Sequence, residues 1–228
     1  MKNEYPLPLK QCDTDDQTIA LLRLALKETL PGMDGQLKMA PPSRDLLLRL
    51  QQHQKATRYA SVLIPIFPIH HELHTLLITR NVYPGVHSGQ VAFAGGKREP
   101  GDTSPEATAL REAWEEVGIQ PADVMIIGCL TDLYIPPSQF LVTPVVGYLQ
   151  QPPKLMIDNT EVSEATVVSL RRLFSMETKK MPVIETQAGS FETPAYCLDG
   201  LVIWGATAMI ISELEEVWKL INAPCPFP

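Results

Sequence analysis

Three carboxylates, Glu112, Glu115 and Glu116, follow directly on Arg111. On a helix, at about 100° per residue, they fall within about a third of a turn of one another. Glu112 and Glu116 form a like-charged i, i+4 pair, which weakens an isolated helix by about 0.2–0.5 kcal/mol, and Arg111 offsets part of that through Glu115. Acidic runs are most often solvated faces. The alternative chemistry is a nest of hard oxygens for divalent cations, because Mg²⁺ takes one or two carboxylates and completes its shell from water and substrate phosphates. The loop just upstream favours the nest: Gly95 and Gly96 permit close backbone approach, and Lys97 and Arg98 offer positive charge to anionic groups.

The acidic stretch is expected on a helix with complete boundary signals. Ser104 caps it, Pro105 fits its first position, Glu106 complements the dipole and Gly118 stops it. Ala107, Leu110, Trp114 and Val117 recur at helical spacing as the packing stripe, with the three glutamates on the opposite side.

Around this helix the chain divides into an N-terminal helical extension over 1–57, a main domain over 58–222 and an irregular tail over 223–228. In the extension, Ile19, Leu22, Leu26 and Leu30 share one helix face, Pro31 and Gly32 end that helix, and a second is expected from Ser43. Strands are expected over 61–67 and 74–80, joined by a turn at His70 and His71, and over 124–135 and 140–149, joined at Pro136 and Pro137. Glu161 and Glu164 precede a further strand and a short helix over 170–174, and short strands are expected over 182–186 and 194–198. Ile210, Leu214, Val217, Trp218 and Ile221 give a final helix its core stripe. Glu213, Glu215 and Glu216 of that helix spread around its polar arc, and no paired glycines lead into them.

A net charge of −7 argues against a broad nucleic-acid-binding surface. No apolar run reaches membrane-spanning length, and the N-terminus lacks a signal-peptide core, so a cytoplasmic protein without membrane contact is expected. Cys12, Cys129, Cys197 and Cys225 are scattered and are expected as reduced thiols. His70, His71 and His74 lack acidic or cysteine partners at ligand spacing and belong to an exposed turn.

The stretch 95–119 resembles the Nudix box, the signature of a family of diphosphate hydrolases. Gly96 matches its opening glycine, and Arg111, Glu112, Ala113, Glu115, Glu116, Gly118 and Ile119 match its close. Asp102 stands at the first acidic position, where the family has glutamate, and the segment from there to Arg111 is one residue longer. The run 76–96 resembles the added signature of the coenzyme A pyrophosphatase branch, through Thr79, Arg80, His87, Gly89, Gln90, Phe93, Gly95 and Gly96; that branch also has the longer box. Ala94 replaces a proline of that signature, and Pro84 and Gly85 replace a Leu-Arg pair.

The resemblance implies an α/β (α+β) fold with a mixed β-sheet sandwiched between helices. It implies hydrolysis of coenzyme A or acyl-CoA to 3′,5′-ADP and 4′-phosphopantetheine, with Mg²⁺ or Mn²⁺ as cofactor. Glu112, Glu115, Glu116 and the Gly96 carbonyl would hold the metal, Arg111 would orient the glutamates, and Glu161, outside the box, would complete the site. Arg80, Gly95, Gly96 and Lys97 would meet the substrate, and His87 would order its loop. The substrate is a small nucleotide-type molecule, and a homodimer is common among such relatives. Alternatives are a Nudix enzyme for ADP-ribose, dinucleoside polyphosphates or oxidised nucleotides, and a non-catalytic ligand-binding module, which would be expected to lose box glutamates.

Overall fold

The computed structural model describes residues 14–28, 30–41, 58–81, 89–136, 138–186 and 189–222. The helix expected from Ser43, His87, Cys12, Cys225 and the 223–228 tail lie outside the described residues. The described helices are α1 (Thr14–Ala25), α2 (Gly32–Gln36), α3 (Pro105–Val117), α4 (Leu170–Leu173) and α5 (Gly205–Asn222).

A strand that is apolar on both faces belongs in the middle of a sheet. β1 (Arg58–Ile69) is buried without interruption from Leu63 to Phe67 and is the central strand. It pairs antiparallel with β2 (Glu72–Arg80), and the turn between them places His70 and His71 at φ 49° and 62°, the left-handed pair of a two-residue hairpin. Beyond β2 lie β3 (Val91–Ala92) and β8 (Val162–Ser169); β4 (Gly95–Lys97) pairs with the first half of β1. On its other side β1 runs parallel to β7 (Phe140–Tyr148), which carries β5 (Met125–Cys129) and β6 (Leu133–Ile135) antiparallel. One parallel pair among antiparallel ones makes the sheet mixed.

Successive side chains of β1 point to opposite faces. Leu63 and Phe67 pack with Ala109, Ala113 and Val117 of α3. Ile64 and Ile66 join a cluster containing Ile19, Leu22 and Leu26 near α1 and Met209, Leu214 and Val217 of α5. The sheet therefore lies between helical layers, the expected α/β (α+β) architecture. A small sheet of β9 (Lys179–Lys180), β12 (Ala195–Leu198) and β13 (Leu201–Trp204), and a hairpin of β10 (Val183–Thr186) and β11 (Gly189–Glu192), adjoin it in sequence.

Three local expectations change. α1 ends at Ala25, and Leu30 is half-buried after the turn that follows. The single strand expected over 124–135 is cut at Thr131, whose N–H leaves the ladder and donates to Glu213 Oε1 at 3.2 Å. Glu213 and Glu215, expected on a polar arc, are 0% and 2% exposed. Apolar spacing does not reveal how many neighbours enclose a helix, and α5 is covered by α1 and α2 as well as by β6 and β12.

Cys129 and Cys197 form no disulfide, and burial pushes the Cys129 thiol up to about 11, so it is protonated and unreactive. Among the described residues no helix is long and apolar enough to cross a membrane.

Candidate active site

Helix α3 starts and stops where its sequence marks it. Ser104 Oγ accepts from the Ala107 N–H at 3.2 Å, and Gly118, at φ 77°, donates its N–H to Trp114 O at 2.9 Å. Its rotation differs from the expected one. The inner stripe is Ala109, Ala113 and Val117, while Trp114 is 51% exposed. Glu116, expected on the far side, is only 3% exposed. The small alanines let the helix approach the sheet closely, and the carboxylates of Glu112 and Glu116 come down on the glycine strand β4.

Close packing on both sides explains the two glycines, β1 against Gly95 and α3 against Gly96. A side chain at Gly95 would come within 2.6 Å of Val62 Cα, and one at Gly96 within 2.6 Å of the Glu112 carboxyl group. With no side chain there, the Gly95 N–H donates to Glu116 Oε2 at 2.9 Å. Arg80 donates to the Gly95 carbonyl at 2.9 Å and lies 3.9 Å from Glu116 Oε1.

Burial pushes Glu116 up to about 7, against the pull of Arg80 and the Gly95 N–H, and the charges of Glu112 and Glu161 add to the push. Burial raises Glu112 too, opposed by Arg111 and reinforced by Glu115 and Glu161. Glu161, in the loop ahead of β8, is thus near enough for its charge to act on both box glutamates. Its backbone is held in place: the Asn81 N–H donates to Glu161 O at 2.9 Å, and Asn81 Nδ2 donates to Asn159 O at 2.7 Å. In the same loop the Asp158 N–H donates to Glu116 O at 2.9 Å. The Glu115 side chain is half exposed at the outer end of the group.

Arg111 ties these parts together. Its guanidinium donates to both Asp102 oxygens, at 3.1 and 3.0 Å, and to the Lys97 carbonyl at 3.0 Å. The same group lies 2.9 Å from Glu112 Oε1 and 2.8 Å from Glu115 Oε2. Asp102 also accepts from Thr108 Oγ1 at 3.0 Å and the Glu99 N–H at 2.8 Å. The Arg111 hydrogen bonds, helped by those from Glu99 and Thr108, hold the Asp102 carboxyl at about 2 despite burial. The shorter acid at this box position thus closes the loop fully. The Lys97 side chain is exposed; its carbonyl is the part that Arg111 uses. Two members of this framework, Thr108 and Asn81, have no sequence signal, since neither stands at a helix or strand period from the group it supports.

The family model for the NUDIX domain matches residues 57–187. The chain belongs to the Nudix family. It is 36% identical over 182 residues to the uncharacterized Nudix hydrolase NudL of Photorhabdus laumondii, a match covering 79% of this chain and 92% of that protein. It is 38% identical over 181 residues to a NudL of Pectobacterium atrosepticum, covering 78% of this chain and 88% of that one. Over 133 residues it is 38% identical to the peroxisomal coenzyme A diphosphatase NUDT7 of Mus musculus, covering 55% of this chain and 56% of that protein. As a Nudix hydrolase it acts on diphosphate bonds.

Nudix hydrolases generally need divalent cations. The donor set here suits such an ion: hard carboxylate oxygens, two of them pushed up by burial and by their neighbours' charge, beside a glycine backbone with no side chain in the way. Among the described residues no three His, Cys, Asp or Glu side chains are gathered closely enough to hold one ion as they stand. Arg111 lies between Glu112 and Glu115 in their place, so a cation would share these two carboxylates with Arg111.

Proposed function

We propose that this Nudix hydrolase cleaves the diphosphate of coenzyme A or an acyl-CoA, with Mg²⁺ or Mn²⁺, releasing 3′,5′-ADP and 4′-phosphopantetheine or its acyl form. One observation carries the chemistry: Glu112 and Glu116 are pressed against Gly95 and Gly96, and the charge of Glu161 acts on both, an excess of negative charge beside a glycine backbone. The likeness of the 76–96 run to the coenzyme A branch and the Mus musculus relative named as a coenzyme A diphosphatase support the substrate.

When bound, divalent cations supply charge neutralisation of the diphosphate and lower the pKa of an attacking water. Glu112, Glu115 and Glu116 would hold them, with the Gly96 carbonyl and Glu161 as the remaining protein donors. Arg111 touches neither water nor phosphate; it sets the positions of Glu112 and Glu115 and is itself held from behind by Asp102. Arg80, clamped on the Gly95 carbonyl, and Lys97, exposed beside Gly96, meet phosphate oxygens.

Comparing kcat/KM for coenzyme A, acetyl-CoA and ADP-ribose, each with Mg²⁺ and with Mn²⁺, tests the substrate. The expected outcome is preference for coenzyme A or its thioester. Preference for ADP-ribose would overturn the substrate assignment and leave the diphosphate chemistry standing.

A further inference from the structure

A second set of cations lies beside the carboxylates and takes no part in holding them. Arg58 and Tyr59 at the start of β1, with Lys97, Arg98, Glu99 and Asp102 of the loop before α3, line a hollow of about 510 Å³. Among the described residues, Arg58, Lys97 and Arg98 form no ion pair, whereas Arg80, Arg111, Arg172, Lys179 and Lys219 each do. Arg58 rests 4.1 Å over the Phe140 ring. Arg98 donates through Nε and a terminal nitrogen to the Asp102 carbonyl, at 3.3 and 3.2 Å. Both guanidinium groups are thus held by neutral partners with their charge uncancelled.

The acids on the hollow do not balance them. Asp102 is answered by both Arg111 hydrogen bonds, which leaves Glu99, among the described residues, as the lining carboxylate without a cation partner against three cations. In a chain of net charge −7 this is a local reversal of sign, of the kind that draws an anionic ligand. Tyr59 is 55% exposed, and its carbonyl accepts from the Arg98 N–H at 2.9 Å, which fastens strand to loop. The hollow is also close to the chemistry: Lys97 follows Gly96, and Arg111 links Asp102 on one side to Glu112 and Glu115 on the other.

We propose that this hollow is a subsite for a phosphate monoester that the substrate carries outside its diphosphate. Arg58 and Arg98 are its charged donors, and Tyr59 offers a ring for the attached base to stack on. The assignment rests on the coenzyme A reading in that coenzyme A has such a group, the 3′-phosphate of its ADP half, and ADP-ribose has none.

Binding of adenosine 3′,5′-bisphosphate and of adenosine 5′-monophosphate, measured by calorimetry with Mg²⁺ present, tests the subsite without requiring turnover. The wild-type chain is expected to bind the bisphosphate about tenfold or more tightly than the monophosphate. Arg58→Ala should erase that preference while leaving the monophosphate unchanged, and Arg58→Lys, which keeps the charge, should retain part of it. Equal affinities in the wild type, or equal weakening of both nucleotides in Arg58→Ala, would overturn the proposal. Turnover of coenzyme A and 3′-dephospho-coenzyme A, run in parallel, separates the two claims. A 3′-phosphate preference in binding with no cleavage of either compound supports the subsite and refutes the proposed reaction. Cleavage of both at equal kcat/KM, with equal nucleotide affinities, does the reverse.

Discussion

Asp102 shows how much of the candidate site depends on a residue whose carboxylate holds a neighbouring side chain. It accepts four hydrogen bonds, two of them from Arg111, and is held at about 2. Asp102→Ala leaves the Thr108 hydroxyl, the Glu99 N–H and the Arg111 guanidinium short of acceptors, and should destabilise the fold by about 1–3 kcal/mol. The sign with pH follows from a folded value below the ordinary 3.8. The contribution is complete above the unfolded value and is lost as pH falls through the folded one. Urea unfolding of wild type and variant should therefore show a stability gap that is constant above about pH 5 and narrows by about pH 3. A gap that holds its size at the lower pH would mean that the Asp102 carboxylate is not what closes this loop. The types and spacing of Arg111, Glu112, Glu115 and Glu116 are visible in the sequence. The role of Asp102 as the anchor of Arg111 is not, because nine residues match no helical or strand period and only the folded loop brings the two together.

For the element that carries them, local chemistry and tertiary contact part company. The ends of α3 are legible because Ser104, Pro105 and Gly118 act within a few residues of themselves. Its rotation is not, because that depends on what the helix meets. Trp114 and Leu110 suggest one stripe by size, yet the sheet accepts Ala109 and Ala113, which fit where larger side chains would hold the helix away. Close approach is also why Glu116 is buried, and why a methyl group at Gly96 would meet the Glu112 carboxyl. Gly96→Ala is expected to displace the Glu112 carboxyl, which lies 2.6 Å from the added carbon, and to lower kcat/KM by about 10²-fold with the melting temperature little changed. Kinetics and a thermal melt of that variant check this, and wild-type activity would show that the contact between β4 and α3 does not set the geometry of the site.

Across the whole molecule, a sheet between helical layers is what the resemblance to the Nudix family implies, and the apolar run of β1 and the caps of α3 agree with it. The attachment of the N-terminal helices is not foreseeable, because it runs through a buried carboxylate at the other end of the chain. Glu213 accepts from the Gly32 N–H at 3.1 Å, the Thr131 N–H at 3.2 Å and Gln36 Nε2 at 2.9 Å, so one side chain joins α2, α5 and the break between β5 and β6. Glu213→Ala is expected to cost about 3 kcal/mol or more in urea unfolding, since it leaves buried donors unanswered. Glu216→Ala, which removes outer pairs with Lys38 and Lys219, should cost about 1 kcal/mol or less. Similar losses in the two variants would mean that Glu213 does not join these elements. The acids of α5 and those of α3 look alike in composition, and their surroundings separate them: Glu213 meets backbone N–H groups and an amide, Glu215 meets lysines and the Tyr196 hydroxyl, and Glu112 and Glu116 meet glycine backbone, the arginines Arg111 and Arg80 and the charge of neighbouring glutamates. The proposed function places the chemistry at α3, and its most direct test is the rate at which coenzyme A is converted to 3′,5′-ADP in Mg²⁺ by the wild type and by Glu116→Gln. The expected result is a loss of about 10²-fold or more with the folded state intact by thermal melting. An undiminished rate in the folded variant would contradict it.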